Sequence, residues 1–258
     1  MNQERSTNRP SVALQLYSVR ESAAADFEGT VRRVADVGYA GVEPAGFPET
    51  TPAEAARLFR DLGLAVPSAH LPLPLGDHKQ EVLEAMEALG CTNLVSGQGP
   101  DAFTSLDAIR QTCELFNEAN AVAREHGLTL GVHNHWWEYL RVEGRYPYRM
   151  MVDLLDPDIF FQVDTYWVQT AGADVTEVLG FLGERAPLLH IKDGPCDKRE
   201  PMTAVGDGVM DFPAVLQAAG DVPQWLIVEI DRVAGDMWTA VEKSYAYLVG
   251  EGLAVGTR

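Results

Sequence analysis

The sequence predicts an α/β protein folded as a single-domain (β/α)8 TIM barrel, and three observations carry that expectation. Eight short apolar, β-branched segments recur, stretches of helical periodicity separate them, and the repeating unit is about 30 residues. Strict alternation makes each helix a crossover between parallel strands. Eight such units in 258 residues fit a closed barrel better than an open doubly wound sheet. No linker divides the chain, so residues 11–258 read as one domain behind a polar arm, residues 1–10, expected to be disordered.

The expected strands, in order, are Val12–Tyr17, Ala40–Ala45, Ala65–His70, Thr92–Ser96, Leu128–His133, Ile159–Asp164, Pro187–Lys192 and Trp225–Ile230. Each is a short run rich in Val, Ile, Leu and aromatic residues, as a strand covered on both faces requires. The helices between them are expected at Phe27–Val37, Glu54–Leu62, Lys79–Leu89, Ser105–Glu125, Tyr148–Leu155, Val175–Phe181, Pro213–Ala219 and Met237–Leu248. Gly38, Gly63, Gly90, Gly127 and Gly220 follow five of them, where a left-handed residue ends a helix at low cost.

Composition narrows the function. With 38 acidic and 20 basic side chains the formal net charge is −18, the wrong sign for a surface that neutralises nucleic-acid phosphates or an anionic membrane. No stretch approaches the roughly 18 apolar residues of a membrane span, and Met1–Pro10 lacks the apolar core of a secretory signal. Cys91, Cys113 and Cys196 form no C-x-x-C, which argues against a disulfide framework or a structural zinc cluster. A cytoplasmic enzyme with free thiols is the expectation, and a homo-oligomer is compatible with it.

A barrel places its chemistry at the C-terminal strand ends, and here those ends are polar. The second strand ends in Glu43, the third in His70, and the fifth in His133-Asn134-His135-Trp136-Trp137-Glu138. The sixth ends in Asp164, the seventh in His190-Ile191-Lys192-Asp193 and the eighth in Glu229-Ile230-Asp231. In a closed barrel these groups converge on one mouth, where unpaired charge is costly unless a cation or substrate compensates it. A single divalent cation is the economical explanation. Oxygen donors with an imidazole and no thiolate suit Mn²⁺ first, with Mg²⁺, Co²⁺ or Zn²⁺ as other fits. Lys192 shares a strand face with His190, and Asp231 with Glu229. Trp136, Trp137 and Trp167 offer apolar faces on which a sugar ring could stack.

These segments resemble the sugar phosphate isomerase/epimerase family of xylose isomerase-like barrels, which also includes inosose dehydratases, ketose 3-epimerases and endonuclease IV. The resemblance runs from LQLYSVR (Leu14–Arg20) through GYAGVEPAG (Gly38–Gly46), GVHNHWWEY (Gly131–Tyr139), FQVDTYWV (Phe161–Val168), LLHIKDG (Leu188–Gly194) and VGDGVMDF (Val205–Phe212) to IVEID (Ile227–Asp231). It implies one divalent cation on a carboxylate after strand five, an Asp after six, a His after seven and a Glu after eight. Those map onto Glu138, Asp164, His190 and Glu229. In ketose 3-epimerases the strand-five carboxylate lies inside the strand, whereas here Glu138 follows it, leaving His135 as a rival ligand. The triple zinc set and basic face of an endonuclease IV are missing.

The expected chemistry is isomerisation or epimerisation of a sugar, keto-sugar or inositol-like polyol through an enediolate. Glu138, Glu229 and His133 are the candidates for proton transfer, with Lys192 beside the developing oxyanion. Glu43, His70, His135, Trp167 and Asp231 are the candidates for substrate contacts. A dehydratase or 3-keto-glycoside lyase would share the first step, and a non-catalytic sugar-binding barrel is the alternative of another class. A neutral carbohydrate is favoured over a sugar phosphate, because Lys192, Lys198, Arg199 and Arg232 are the main basic groups near the mouth.

Overall fold

In the computed structural model, which describes residues 9–258, β1 (Ser11–Gln15) leads through α1 (Arg20–Ala25) and α2 (Phe27–Val37) to β2 (Gly41–Glu43). There follow α3 (Pro52–Asp61), β3 (Ala69–His70), α4 (Lys79–Leu89), β4 (Asn93–Ser96), α5 (Leu106–Glu125) and β5 (Thr129–His133). Next come α6 (Pro147–Leu154), β6 (Phe160–Asp164), α7 (Thr165–Thr170), α8 (Val175–Leu182) and β7 (Leu188–Ile191). The chain ends with α9 (Phe212–Ala219), β8 (Trp225–Val228) and α10 (Met237–Gly250). Every expected strand and helix is present to within a few residues, and all five expected capping glycines have positive φ. Residues 1–8 of the expected arm lie outside the described residues. Pro10 is tied down, its carbonyl accepting the Val255 N–H at 2.9 Å.

The strands pair in parallel in the order β2-β1-β8-β7-β6-β5-β4-β3, a nearly closed barrel. The seam between β2 and β3 is the irregular place. Strand β3 is shorter than its apolar run because Pro67 has no N–H to give a ladder. Ala65 bridges to Gly41 instead, and the His70 N–H bonds the Pro44 carbonyl at 2.9 Å.

Alternation along the strands stacks the barrel interior in layers. Ala13, Val95, Phe160, Leu188 and Ile227 pack as a buried apolar floor. Two residues further on, Phe160 gives way to Gln162, Leu188 to His190, Ile227 to Glu229 and Ala13 to Gln15. Another step reaches Asp164, Lys192 and Asp231 at the mouth. Gly131 makes room for the floor, since a Cβ there would lie 2.3 Å from the Phe160 ring. The outer faces of the strands carry the larger core, packed against the helices.

Helix starts account for part of the acidic excess. Asp26, Asp174, Asp211 and Asp236 each accept a backbone N–H as N-cap, as do Thr51 and Ser105. Each such cap is worth about 1 kcal/mol. In βα units the helices begin on the mouth side, so these carboxylates make its rim acidic. Among the described residues, no helix is long and apolar enough to cross a membrane.

Candidate metal centre at the barrel mouth

Strands β5, β6, β7 and the residue after β8 bring His133, Asp164, His190 and Glu229 together, with one potential ligand atom from each lying within 4.8 Å of the others. All four are buried. Asp164 serves two masters: its Oδ1 accepts the Trp167 N–H at 2.9 Å and caps α7, while its buried Oδ2 has no hydrogen-bond donor. The Lys192 ammonium is 3.2 Å from that oxygen, 2.8 Å from Glu229 Oε2, and 3.0 and 3.1 Å from the two oxygens of Asp231. One cation thus faces three carboxylates.

Asn134 holds the ends of β5 and β6 in register. Its Oδ1 accepts the Asp164 N–H at 2.9 Å and its Nδ2 donates to the Asp164 carbonyl at 3.2 Å. The next turn carries Glu138 away from the four-residue group. Glu138 Oε2 accepts the His135 N–H at 2.9 Å, and its buried Oε1 has no partner. The structure therefore departs from the expected strand-five donor: His133, which faces inward from β5, stands in the group, and neither Glu138 nor His135 does. The reason is local, because His133 is still in the strand whereas Glu138 lies beyond the chain reversal.

Electrostatics follow from burial and charge. Burial pushes the Glu138 carboxyl up to about 8, only partly opposed by backbone hydrogen bonds. Burial likewise raises Asp231 to about 7 against the pull of Lys192. Burial alone would lower His190, but the Glu43 and Glu229 carboxylates outweigh it and push the imidazole up to about 10. Burial lowers His133 well below its usual range, and burial with the nearby Lys192 charge takes His135 down to about 3. Against its burial, Glu229 is held well below the carboxylate range by Lys192 and His190.

Above the group opens a cavity of about 1090 Å³. Gln15, His70, His133, His135, Lys192, Glu229 and Asp231 line its deep end, and Trp136, Trp137 and Trp167 wall it. His135 stacks on Trp137 with ring centroids 4.3 Å apart, and Trp136 meets Trp167 at 4.8 Å. Among the described residues, and apart from histidines, Lys192 is the one basic side chain in the lining. Lys198 instead lies over the Trp136 ring, Arg199 pairs with Asp197, and Arg232 bonds the carbonyls of Lys198 and Glu200.

Glu43, expected to meet substrate hydroxyls, is placed differently. It is fully buried beside the group, off the cavity, with Gln15, Ser68, Gln162 and His190 around its two oxygens. Gln15, Ser68 and Gln162 went unnoticed in the sequence. The available signal was an amide at an inward position of an apolar strand, in Leu14-Gln15-Leu16 and Phe161-Gln162-Val163.

The model of the xylose isomerase-like TIM barrel family matches residues 31–248. The chain belongs to that family. No curated protein sequence matches it. Among solved structures, this family member is similar to a sugar phosphate isomerase/epimerase from Parabacteroides distasonis, at 24% identity and TM-score 0.79, over 98% of both chains. It is also similar to the probable 3-DHS dehydratase AsbF from Bacillus anthracis, at 12% identity and TM-score 0.76, over 93% of this chain and 98% of that one. A third similar structure is the IOLI protein with a binding zinc atom, at 13% identity and TM-score 0.72, over 93% of this chain and 98% of that one. At these identities the likeness establishes the fold. The family barrel and its buried His133/Asp164/His190/Glu229 group are what this chain demonstrably has.

Proposed function

We propose that the protein is a divalent-metal-dependent isomerase or epimerase of an uncharged sugar, keto-sugar or inositol-like polyol. The observation that carries this reading is the His133/Asp164/His190/Glu229 group at the floor of an indole-walled cavity. The donor set fits a divalent ion: the buried Asp164 Oδ2 accepts no hydrogen bond and faces the Lys192 ammonium at 3.2 Å, a cation it shares with Glu229 and Asp231. Two imidazoles and two carboxylates suit Mn²⁺, Co²⁺ or Zn²⁺ better than Mg²⁺. When bound, such an ion supplies Lewis acidity to a substrate carbonyl and its neighbouring hydroxyl.

The chain's own groups do the rest. Glu229, held ionised and lining the cavity, takes the proton from the carbon beside the carbonyl. Asp231, pushed up to about 7 and also lining the cavity, holds the proton that is returned. Lys192 links these two carboxylates and places its positive charge beside the oxygen that becomes an oxyanion. Glu138 and Glu43 do not line the cavity, so neither receives a proton-transfer step. Trp167, His70 and His135 take the substrate contacts. Lys192, the basic side chain that lines the cavity, is already shared among three carboxylates, which supports an uncharged ligand over a phosphate.

Elimination of a β-leaving group is the second reading, and the cavity volume favours it. The open cleft, about 1090 Å³, stands at the upper end of the roughly 300–1,000 Å³ of pockets that hold drug-sized ligands, with room for more than one sugar ring. A 3-keto-glycoside would use it, with Asp231 protonating the departing oxygen. The deciding experiment is NMR in D₂O with inosose, ketose and 3-keto-glycoside substrates, before and after chelation and Mn²⁺ add-back. Solvent deuterium in a rearranged sugar supports isomerisation or epimerisation, and a released aglycone supports elimination. Deuterium exchange that survives chelation overturns metal dependence.

A further inference from the structure

Beside the four-residue group, Gln15, Glu43, Ser68 and Gln162 form a buried polar cluster, each at most 2% exposed. Glu43 Oε1 accepts from Gln15 Nε2 at 2.8 Å and faces His190 Nε2 at 3.0 Å. Its Oε2 accepts from Ser68 Oγ and from Gln162 Nε2, the latter at 2.5 Å. Four groups able to donate converge on one acceptor. That convergence fixes the Gln162 amide, whose nitrogen faces Glu43 and whose Oε1 therefore faces His133 Nδ1 at 2.9 Å. An amide oxygen can only accept, so His133 carries its proton on Nδ1 and keeps its lone pair on Nε2. By the same logic His190 donates from both nitrogens, Nε2 to Glu43 and Nδ1 to Glu229, and Nδ1 is the one whose proton an ion would displace.

We propose that Glu43 is a positioning residue for both histidines in the group: it holds the proton on His190 Nε2 directly and fixes the Nδ1–H tautomer of His133 through the Gln162 amide. The effect is to leave His133 Nε2, with its lone pair, and His190 Nδ1 as the nitrogens an ion would take, on rings whose centroids are 4.6 Å apart. Outer partners of this kind orient ligating imidazoles, and their loss typically costs 10–100-fold in metal affinity. The tautomer assignment stands on hydrogen bonding alone, while its consequence for affinity rests on the proposed metal site.

The test is long-range ¹H–¹⁵N correlation NMR of the full chain with ¹⁵N-labelled histidine, in wild type and Glu43→Gln, alongside Mn²⁺ titration. An amide at position 43 presents a donor, so Gln162 turns its oxygen to meet it and its nitrogen toward His133. The His133 proton is then expected to move from Nδ1 to Nε2, with Mn²⁺ affinity falling about 10–100-fold. Gln162→Met serves if Glu43→Gln fails to fold: it is expected to lose the fixed His133 tautomer and leave the His190 Nε2–H in place. An unchanged His133 tautomer in the folded variant, or an Nε2–H form in wild type, overturns the proposal. If the tautomers respond as stated but wild type binds no Mn²⁺, the positioning role stands and the metal reading falls. If Mn²⁺ binds both proteins alike with unchanged tautomers, the reverse holds.

Discussion

His190 Nδ1 and Glu229 Oε2 stand 2.8 Å apart inside the barrel. With Glu43 on its other nitrogen, the imidazole keeps a proton up to a pH of about 10, which a divalent ion at Nδ1 must displace. Metal affinity is therefore expected to rise with pH, by about tenfold per unit between roughly pH 6 and 9, with one proton released per ion. Calorimetric Mn²⁺ titrations in buffers of different ionisation enthalpy measure both. In chelated protein the folded value lies above the unfolded value of about 6.5, so this histidine's stabilisation is complete below that pH and lost as pH rises through 10. A pH-independent affinity contradicts the placement.

Glu138 makes stability fall with pH as well, over a lower range. Its carboxyl is pushed up to about 8 in the fold from an ordinary value near 4.5, so unfolding between those values releases a proton and stability falls as pH rises. Glu138→Gln imitates the protonated acid and can keep the bond from the His135 N–H. Thermal melts are expected to show the variant gaining on wild type at pH 8 and matching it at pH 4. Equal stability at both pH values would mean that the carboxyl is not held neutral.

Removing Lys192 leaves three buried or half-buried carboxylates without their shared cation. Lys192→Met is expected to cost on the order of 3–5 kcal/mol, the range for breaking a buried ion pair. Added Mn²⁺ should then raise the melting temperature of the variant by more than that of wild type. Equal metal-induced shifts would show that the ammonium and the ion do not neutralise the same oxygens.

Four backbone N–H groups of the loop after β7 converge on one side chain. Asp193 Oδ1 accepts the N–H groups of Gly194 and Met210, and Oδ2 those of Gly206 and Gly208. A Cβ at Gly208 would collide with that carboxylate. Asp193→Ala orphans four donors, and we expect faster hydrogen exchange and protease cleavage across residues 194–211, with a stability loss of about 2–4 kcal/mol. Unchanged exchange there would mean that the loop is held by other contacts.

Most of the fold was legible because its signal is local: apolar runs, helical periodicity and glycine stops report each element separately. The strand ends were legible for a related reason, since barrel closure sends Asp164, His190, Lys192, Glu229 and Asp231 to one mouth wherever their strands begin. What escaped was direction. Glu138 reads as a carboxylate next to the fifth strand, and only the turn at Trp136–Tyr139 shows that one of its oxygens accepts backward from the His135 N–H. Glu43 ends its strand as Asp164 does, but stands outside the four-residue group, among amides with no chemistry of their own. Gln15 and Gln162 bond Glu43, a contact spanning 119 residues in the case of Gln162, which no window along the chain contains.

The central claim is a divalent-ion site built on His133, Asp164, His190 and Glu229. EPR titration of free Mn²⁺ against chelator-stripped protein tests it most directly, with wild type, His133→Ala and Glu138→Gln side by side. One saturable site per chain is expected in wild type and Glu138→Gln, weakened at least about 100-fold in His133→Ala, the upper end of what outer-partner losses cost. A wild type without a saturable site, or binding lost in Glu138→Gln and kept in His133→Ala, would contradict it.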